Sequence, residues 1–188
     1  RVLYHIYEEG LAMRFGVAVG RAGLGFAGSG VIRRKEEYPS WTPTKNMIRR
    51  EPEVYAALAG GLKGGLDNPL GARALYLYRN GKDTMYRIHG TMDPSSIGKA
   101  TSAGCIRLFN QDAIDMFDEV PLGTLVKVRT KAESLKYEGE LVELSSGYLV
   151  PETSFEVIDA DRAAQEIAAQ KMSDSAARDA ALEGRNPV

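Results

Sequence analysis

The sequence is poor in the residues that most often carry chemistry or covalent stapling: 188 residues include one cysteine, two histidines and one tryptophan. A single cysteine excludes an intramolecular disulfide, so the fold must hold by packing, and the thiol is either a small buried hydrophobe or a reactive group. No apolar run approaches the roughly 20 residues that a membrane-spanning helix needs. The longest, such as Ala74 to Tyr78, are strand-sized, and no membrane span is expected in this chain. Charge is balanced at 24 basic against 25 acidic residues, a formal net charge of -1, which gives no global electrostatic reason to expect a nucleic-acid partner. A phosphate loop is lacking too. The glycines at 20, 23, 25, 28 and 30 lead into Val31-Ile32 rather than into Gly-Lys-Ser or Gly-Lys-Thr before a helix, so the stretch reads as a flexible strand connection. The N-terminus, Arg1-Val2-Leu3-Tyr4, shows no signal-like apolar core, so no export signal is legible there.

What is present fits one domain of ordinary size with a short appendage, since hydrophobic residues make up 44% and charged residues 26%. Val2 to Ile6 and Met13 to Val19 are β-rich runs around Glu8-Glu9-Gly10, which predicts an opening hairpin. Tyr38-Pro39-Ser40-Trp41-Thr42-Pro43 must be a loop, because its prolines remove backbone donors and bias their predecessors toward extended conformations. A short helix is predicted within Pro52 to Leu62. Residues 73 to 78 and 84 to 88 read as strands joined by Asn80-Gly81, a favoured tight-turn dipeptide. Further on, Asn110 is expected to cap a helix whose apolar positions Ala113, Met116, Phe117 and Val120 share one face. Pro121-Leu122-Gly123 stops that helix and Thr124 to Val128 reads as a strand. Glu138 to Leu144 and Tyr148 to Val157 are candidate extra strands, and Asp159 to Glu183 is a weakly patterned helical extension.

Cys105 follows the small-residue run Thr101-Ser102-Ala103-Gly104. A nucleophilic cysteine needs a turn that exposes sulfur, backbone N–H groups for an oxyanion, and a base or cation beside it. Gly104 suits the first two needs, and His89, at the end of a predicted strand, is the most plausible partner. From the residues alone, the alternatives stay open: Cys105 as buried filler, His89 as a structural hydrogen-bonder, Arg107 as a solvated side chain. Metal binding is not expected, because His5 has no neighbouring cysteine or histidine to complete a ligand set.

Ile88-His89-Gly90-Thr91, Pro94-Ser95-Ser96-Ile97-Gly98, Ser102-Ala103-Gly104-Cys105-Ile106-Arg107-Leu108 and Val120-Pro121-Leu122-Gly123-Thr124, in this order and spacing, resemble the YkuD-type L,D-transpeptidase catalytic domain. Asn68-Pro69-Leu70-Gly71 and Val19-Gly20 add to the likeness, which covers residues 1 to 130 and leaves 131 to 188 as a C-terminal extension. The resemblance implies a mostly β fold, a sandwich with one or two short helices. It also implies an enzyme of cell-wall biogenesis in the periplasm or cell envelope, with peptidoglycan stem peptides as partners and no cofactor. Cys105 would form a thioester with a tetrapeptide stem and release D-alanine. An acceptor amine, from a second stem or a wall-attached protein, would then resolve it.

On the same resemblance His89 is the acid/base and the Gly90 carbonyl orients its imidazole. The N–H groups of Gly104 and Cys105, with Ala103 adjacent, stabilise the oxyanion; Arg107 engages substrate; Ser102 and Asn110 line or hold the site. The thiol is expected to have a lowered pKa. Two departures stand out: Ala103 replaces a histidine common in the family, and Phe26-Ala27-Gly28-Ser29-Gly30 replaces its usual Thr-Pro-x-Gly. The rival reading within the fold is a carboxypeptidase or amidase that uses water as acceptor. The rival outside enzymology is a silent wall-binding module, which the presence of both Cys105 and His89 disfavours. A papain-like protease is excluded by order, since His89 precedes Cys105.

Overall fold

In the computed structural model, the structure describes residues 1–21, 26–100 and 104–183. The chain divides into two compact units, Arg1–Ser134 and Leu135–Val188. The first opens with β1 (Val2–Glu8) and β2 (Leu11–Gly16), an antiparallel hairpin turning at Glu9-Gly10, where Gly10 adopts φ +81°. The main sheet has five strands: β3 (Gly28–Glu37), β4 (Arg73–Arg79), β5 (Lys82–His89), β6 (Ile106–Arg107) and β7 (Leu125–Val128), in the order β6-β5-β4-β3-β7. Every pairing is antiparallel except β5 with β6. The architecture is mostly β with few short helices, as the sequence indicated.

Two consecutive residues of positive φ, Asn80 at +51° and Gly81 at +76°, close the β4–β5 hairpin, as a two-residue turn matched to strand twist requires. Between β3 and β4 lie α1 (Lys45–Arg50) and α2 (Pro52–Tyr55), the latter continued by a 3-10 turn over Ala56–Leu58. Proline at the start of α2 costs nothing there, because the first-turn N–H has no partner within the helix. Sequence periodicity shows no trace of α1; none of its residues is buried, so it carries no amphipathic stripe.

The core forms where alternate strand residues meet a helix. Ile32, Leu75, Leu77 and Ile88 point from the sheet toward Phe15, Val17 and Leu108 and toward Ala113, Met116 and Val120, which belong to α3 (Asn110–Glu119) and its C-cap. Each such large side chain contributes about 1.5–3 kcal/mol by leaving water. Lys35, on the same side, spends its charge on the α3 C-terminus by donating to the carbonyls of Phe117 and Val120. One expectation is corrected here. Asn110 is not the cap of α3: Phe109 holds that position without a side-chain bond, and Asn110 is the first helical residue. Its amide bridges two distant backbone groups instead, as described below.

After β7 the chain forms α4 (Lys131–Glu138). In the second unit, β8 (Leu141–Glu143) pairs antiparallel with β9 (Leu149–Pro151), followed by α5 (Phe155–Glu183). The hydroxyl and backbone N–H of Ser145 both donate to the Asp161 carboxylate, tying the β8–β9 turn to α5. Among the described residues no helix is long and apolar enough to cross a membrane.

Candidate active site

Parallel pairing of β5 and β6 sets Ile88 beside Ile106 and His89 beside Arg107, so one step back along the register Arg87 lies beside Cys105. Paired residues share a face, and side chains alternate along each strand. Ile88 therefore enters the core while Arg87, His89, Cys105 and Arg107 share the opposite face. The antiparallel registers extend that face across the sheet: β4 places Ala74 by His89 and Tyr76 by Arg87, and β3 places Arg34 by Tyr76 and Glu36 by Ala74.

His89 is buried, and its Nδ1 lies 2.5 Å from the Gly90 carbonyl oxygen. A carbonyl only accepts, so Nδ1 carries the ring proton and Nε2 keeps the lone pair. Burial pushes the pKa of His89 down to about 4, with the charges of Arg107 and Arg87 adding to the effect; the carbonyls of Gly90 and Leu70 oppose it without prevailing. The imidazole is neutral at neutral pH.

Gly104 precedes the thiol in a buried turn at φ +138°, a conformation that side chains rarely adopt. Cys105 is partly exposed. Its Sγ lies 3.9 Å from the Met85 carbonyl, within S–H···O reach, and the backbone N–H of Arg87 donates to the sulfur. Desolvation pushes the thiol pKa up and outweighs the opposing Arg87 N–H and the charges of Arg87 and Arg107; Asp83 adds to the rise. The expectation of a lowered thiol pKa is thus corrected. Although the residue keeps part of its surface exposed, the packing around the sulfur disfavours the thiolate more than the neighbouring cations favour it. At rest the pair is a neutral thiol and a neutral imidazole.

Of the remaining predicted residues, Gly90, Arg107 and Asn110 are described. Arg107 is anchored through its backbone, which exchanges two hydrogen bonds with Ala18, at 2.9 and 3.0 Å. The Asn110 Oδ1 accepts from the Ala72 N–H and its Nδ2 donates to the Thr91 carbonyl, both at 3.0 Å. That bridge holds the Gly90-Thr91 turn, whose carbonyl fixes His89. Gly90 must lack a side chain, since a Cβ there would run into the Asn110 Oδ1. Gly71, at φ +63°, faces the same oxygen. Ser102 and Ala103 lie outside the described residues. Among the described residues no group of three or more His, Cys, Asp or Glu side chains is placed to hold a metal ion.

Sequence reasoning missed several members of this face. Arg87 forms a bidentate pair with Asp83, at 3.1 and 3.0 Å, and its guanidinium lies 4.5 Å from the Tyr76 ring centre. Arg34 stacks on the same ring at 4.3 Å, and the Tyr76 hydroxyl donates to Glu36 at 2.6 Å. The period-two rule that puts Arg107 beside Cys105 also puts Arg87 beside His89, so the signal for Arg87 was present. Buried Asn68 was missed as an anchor: it donates to the Lys63 carbonyl and accepts from the Leu70 N–H, fixing the loop before β4.

A family model described as YkuD, L,D-transpeptidase catalytic domain, matches residues 1–128. The "Probable L,D-transpeptidase ErfK/SrfK" of Escherichia coli (strain K12) is 37% identical over 130 residues, 68% of this chain and 40% of that protein. The "Probable L,D-transpeptidase YbiS" of the same strain is 31% identical over 167 residues, 82% of this chain and 52% of that protein. This chain spans about half the length of these relatives or less. A solved structure from Brucella melitensis, named as a probable carnitine operon oxidoreductase, is 48% identical, covers 68% of this chain and 80% of its own, and superposes with a TM-score of 0.45. From Gly28 onward this chain's glycine-rich stretch runs into strand β3, not into the helix N-terminus on which dinucleotide loops hold a pyrophosphate.

Proposed function

Because the chain belongs to the YkuD family of L,D-transpeptidase catalytic domains, we propose that it is a cysteine-dependent acyltransferase acting on peptidoglycan stem peptides. The observation that carries the reading is the placement of Cys105, one residue before β6, and His89, at the end of β5, toward one face, with the imidazole proton held at Nδ1 by Gly90. A neutral thiol beside a neutral base makes attack and deprotonation concurrent. As Sγ approaches the carbonyl carbon before the terminal D-alanine, its proton passes to His89 Nε2 and the carbonyl oxygen becomes an oxyanion. The N–H groups of Gly104 and Cys105 would stabilise that charge, and such a donor is commonly worth about 3–4 kcal/mol of barrier.

Collapse then breaks the C–N bond, His89 returns its proton to the departing D-alanine amine, and a thioester remains. An acceptor amine attacks the thioester carbon and gives up a proton through His89, and the cysteine sulfur leaves and is reprotonated. Arg107 would hold substrate carboxylate or carbonyl groups, and residues 1 to 130 would carry the chemistry. This substrate class places the working compartment in the periplasm or cell envelope.

The test is to give the purified protein tetrapeptide stems with an amine acceptor. Stem dimers and free D-alanine, both lost in Cys105→Ala, are expected. Tripeptide and D-alanine without dimers would make the protein a hydrolase of the same fold, and D-alanine release by Cys105→Ala would remove the cysteine mechanism.

A further inference from the structure

Between the Tyr76–Arg87 and Tyr78–Asp83 pairs, β5 holds more residues than β4, and the excess forms a bulge around Met85. Met85 has φ +64°, a left-handed conformation that non-glycine residues avoid, and its side chain is 58% exposed, so packing of that side chain is not what enforces it. Local hydrogen bonds do so. Asp83 Oδ1 accepts the Met85 N–H at 2.7 Å; Thr84 Oγ1 accepts the Tyr86 N–H at 3.2 Å and donates to the Leu77 carbonyl at 2.6 Å. The same Asp83 carboxylate clamps the Arg87 guanidinium with both oxygens. One carboxylate therefore fixes the two β5 residues that face the sulfur, Met85 through its carbonyl and Arg87 through its N–H and charge.

We propose that Asp83 is a positioning residue for Cys105: by holding the Met85 bulge and clamping Arg87, it sets the carbonyl, the N–H and the guanidinium that face the sulfur and so restrains the reactivity of the thiol. It acts chiefly through Met85 and Arg87, and its own charge adds a smaller direct effect on the sulfur. Among the described residues, the charged and titratable groups on the side of the sulfur include Asp83, Arg87 and His89 from β5 and Arg107 from β6, with Tyr76 of β4 and Arg34 and Glu36 of β3 stacked behind Arg87. Asp83 is the carboxylate bonded to Arg87, and it offsets the cation that would otherwise favour the thiolate. Strain held beside a reactive atom is where sparsely populated backbone conformations gather.

The inference takes Cys105 as the reactive thiol of the proposed function, and its test reads that thiol directly, so failure of transpeptidation leaves it standing. The pH dependence of Cys105 alkylation by iodoacetamide is followed by intact mass on the whole chain, with folding checked by circular dichroism. Asp83→Asn keeps an acceptor for the Met85 N–H but removes the charge; it is expected to move the midpoint to lower pH and speed alkylation at neutral pH about three- to tenfold. Arg87→Gln is expected to move the midpoint the opposite way. In Asp83→Asn/Arg87→Gln less than about half of the asparagine shift should remain, since the partner through which Asp83 acts is gone. An unchanged midpoint in Asp83→Asn overturns the proposal, as does a shift that persists in full without Arg87. Should Asp83→Asn fail to fold, Arg87→Gln carries the test alone, and a midpoint at or below the parent's overturns it.

Discussion

On one face of the five-stranded sheet Ile32, Leu75, Leu77 and Ile88 are sealed against α3 and the opening hairpin; on the other, Arg34, Glu36, Tyr76, Arg87 and His89 rise from the same three strands. No residue of the first set has a polar side chain, and none of the second lacks a polar group. The difference comes from pleating alone, since a one-residue slip in register would exchange the two sets. One irregularity keeps the sets in place. Between Ile32 and Arg34 the register shifts, so that Arg33 is the extra residue and Arg34 follows on the charged face. The Met85 bulge on β5 adds two residues, an even number, so Asp83 and Arg87 stay on one face without it exchanging the sets. One face is therefore tuned by volume, the other by charge and hydrogen bonding, and a substitution should report which face it strikes.

The largest effect on stability is expected on the apolar face. Leu75→Ala, at a fully buried position, should lower the unfolding free energy by about 2–5 kcal/mol in urea melts. Activity per folded molecule should change little. A loss below about 1 kcal/mol would mean that the core collapses around the gap and that the two faces are not so differently packed.

The next effect crosses from one face to the other, because His89 is both buried and polar. Its folded pKa of about 4 lies below the ordinary 6.5, so between these values the unfolded chain binds a proton that the folded chain refuses. The contribution is fully present above pH 6.5 and is lost as pH falls toward 4, on the order of 3 kcal/mol by linkage. Urea unfolding at pH 7 and at pH 4.5 should show a steeper decline in the parent than in His89→Gln. Parallel declines would show that burial does not hold the imidazole neutral.

The smallest effect falls on the charged face and should be kinetic. Arg107→Ala removes a guanidinium from beside Cys105 while leaving the backbone exchange with Ala18 in place. Catalytic efficiency toward stems should fall about 10- to 150-fold, the equivalent of about 1.5–3 kcal/mol, with lysine restoring part. Thermal stability should move little. Unchanged kinetics would return Arg107 to the solvated class.

Much of the fold could be read from residues whose local physics has one solution. Asn80-Gly81 names its turn, the spacing of Ala113, Met116 and Val120 names the buried stripe of α3, and alternation places Arg107 with Cys105. What escaped reading was set by contacts distant in sequence. Asn110 looks like a helix cap until Ala72 and Thr91, 38 and 19 residues away, prove to be its partners. The Met85 bulge is silent in the sequence because methionine has no preference for positive φ; only Asp83 two residues earlier and Thr84 beside it make that conformation tolerable. The upward displacement of the thiol pKa likewise depends on how closely the chain surrounds the sulfur, which neither composition nor spacing encodes.

Strand β6 has a consequence for the order of folding. It is two residues long, joined to β5 in parallel and to Ala18 by a bridge on its other side. Residues 18, 89 and 107 must therefore meet before Cys105 is presented, which brings together positions 18 and 71 residues apart in sequence. Contacts so distant in sequence pay their loop-closure entropy before they return any gain and form late. A nascent or partly assembled chain would thus carry its lone thiol without the neighbours that hold and aim it, and nucleophilic competence would serve as a certificate of completed assembly.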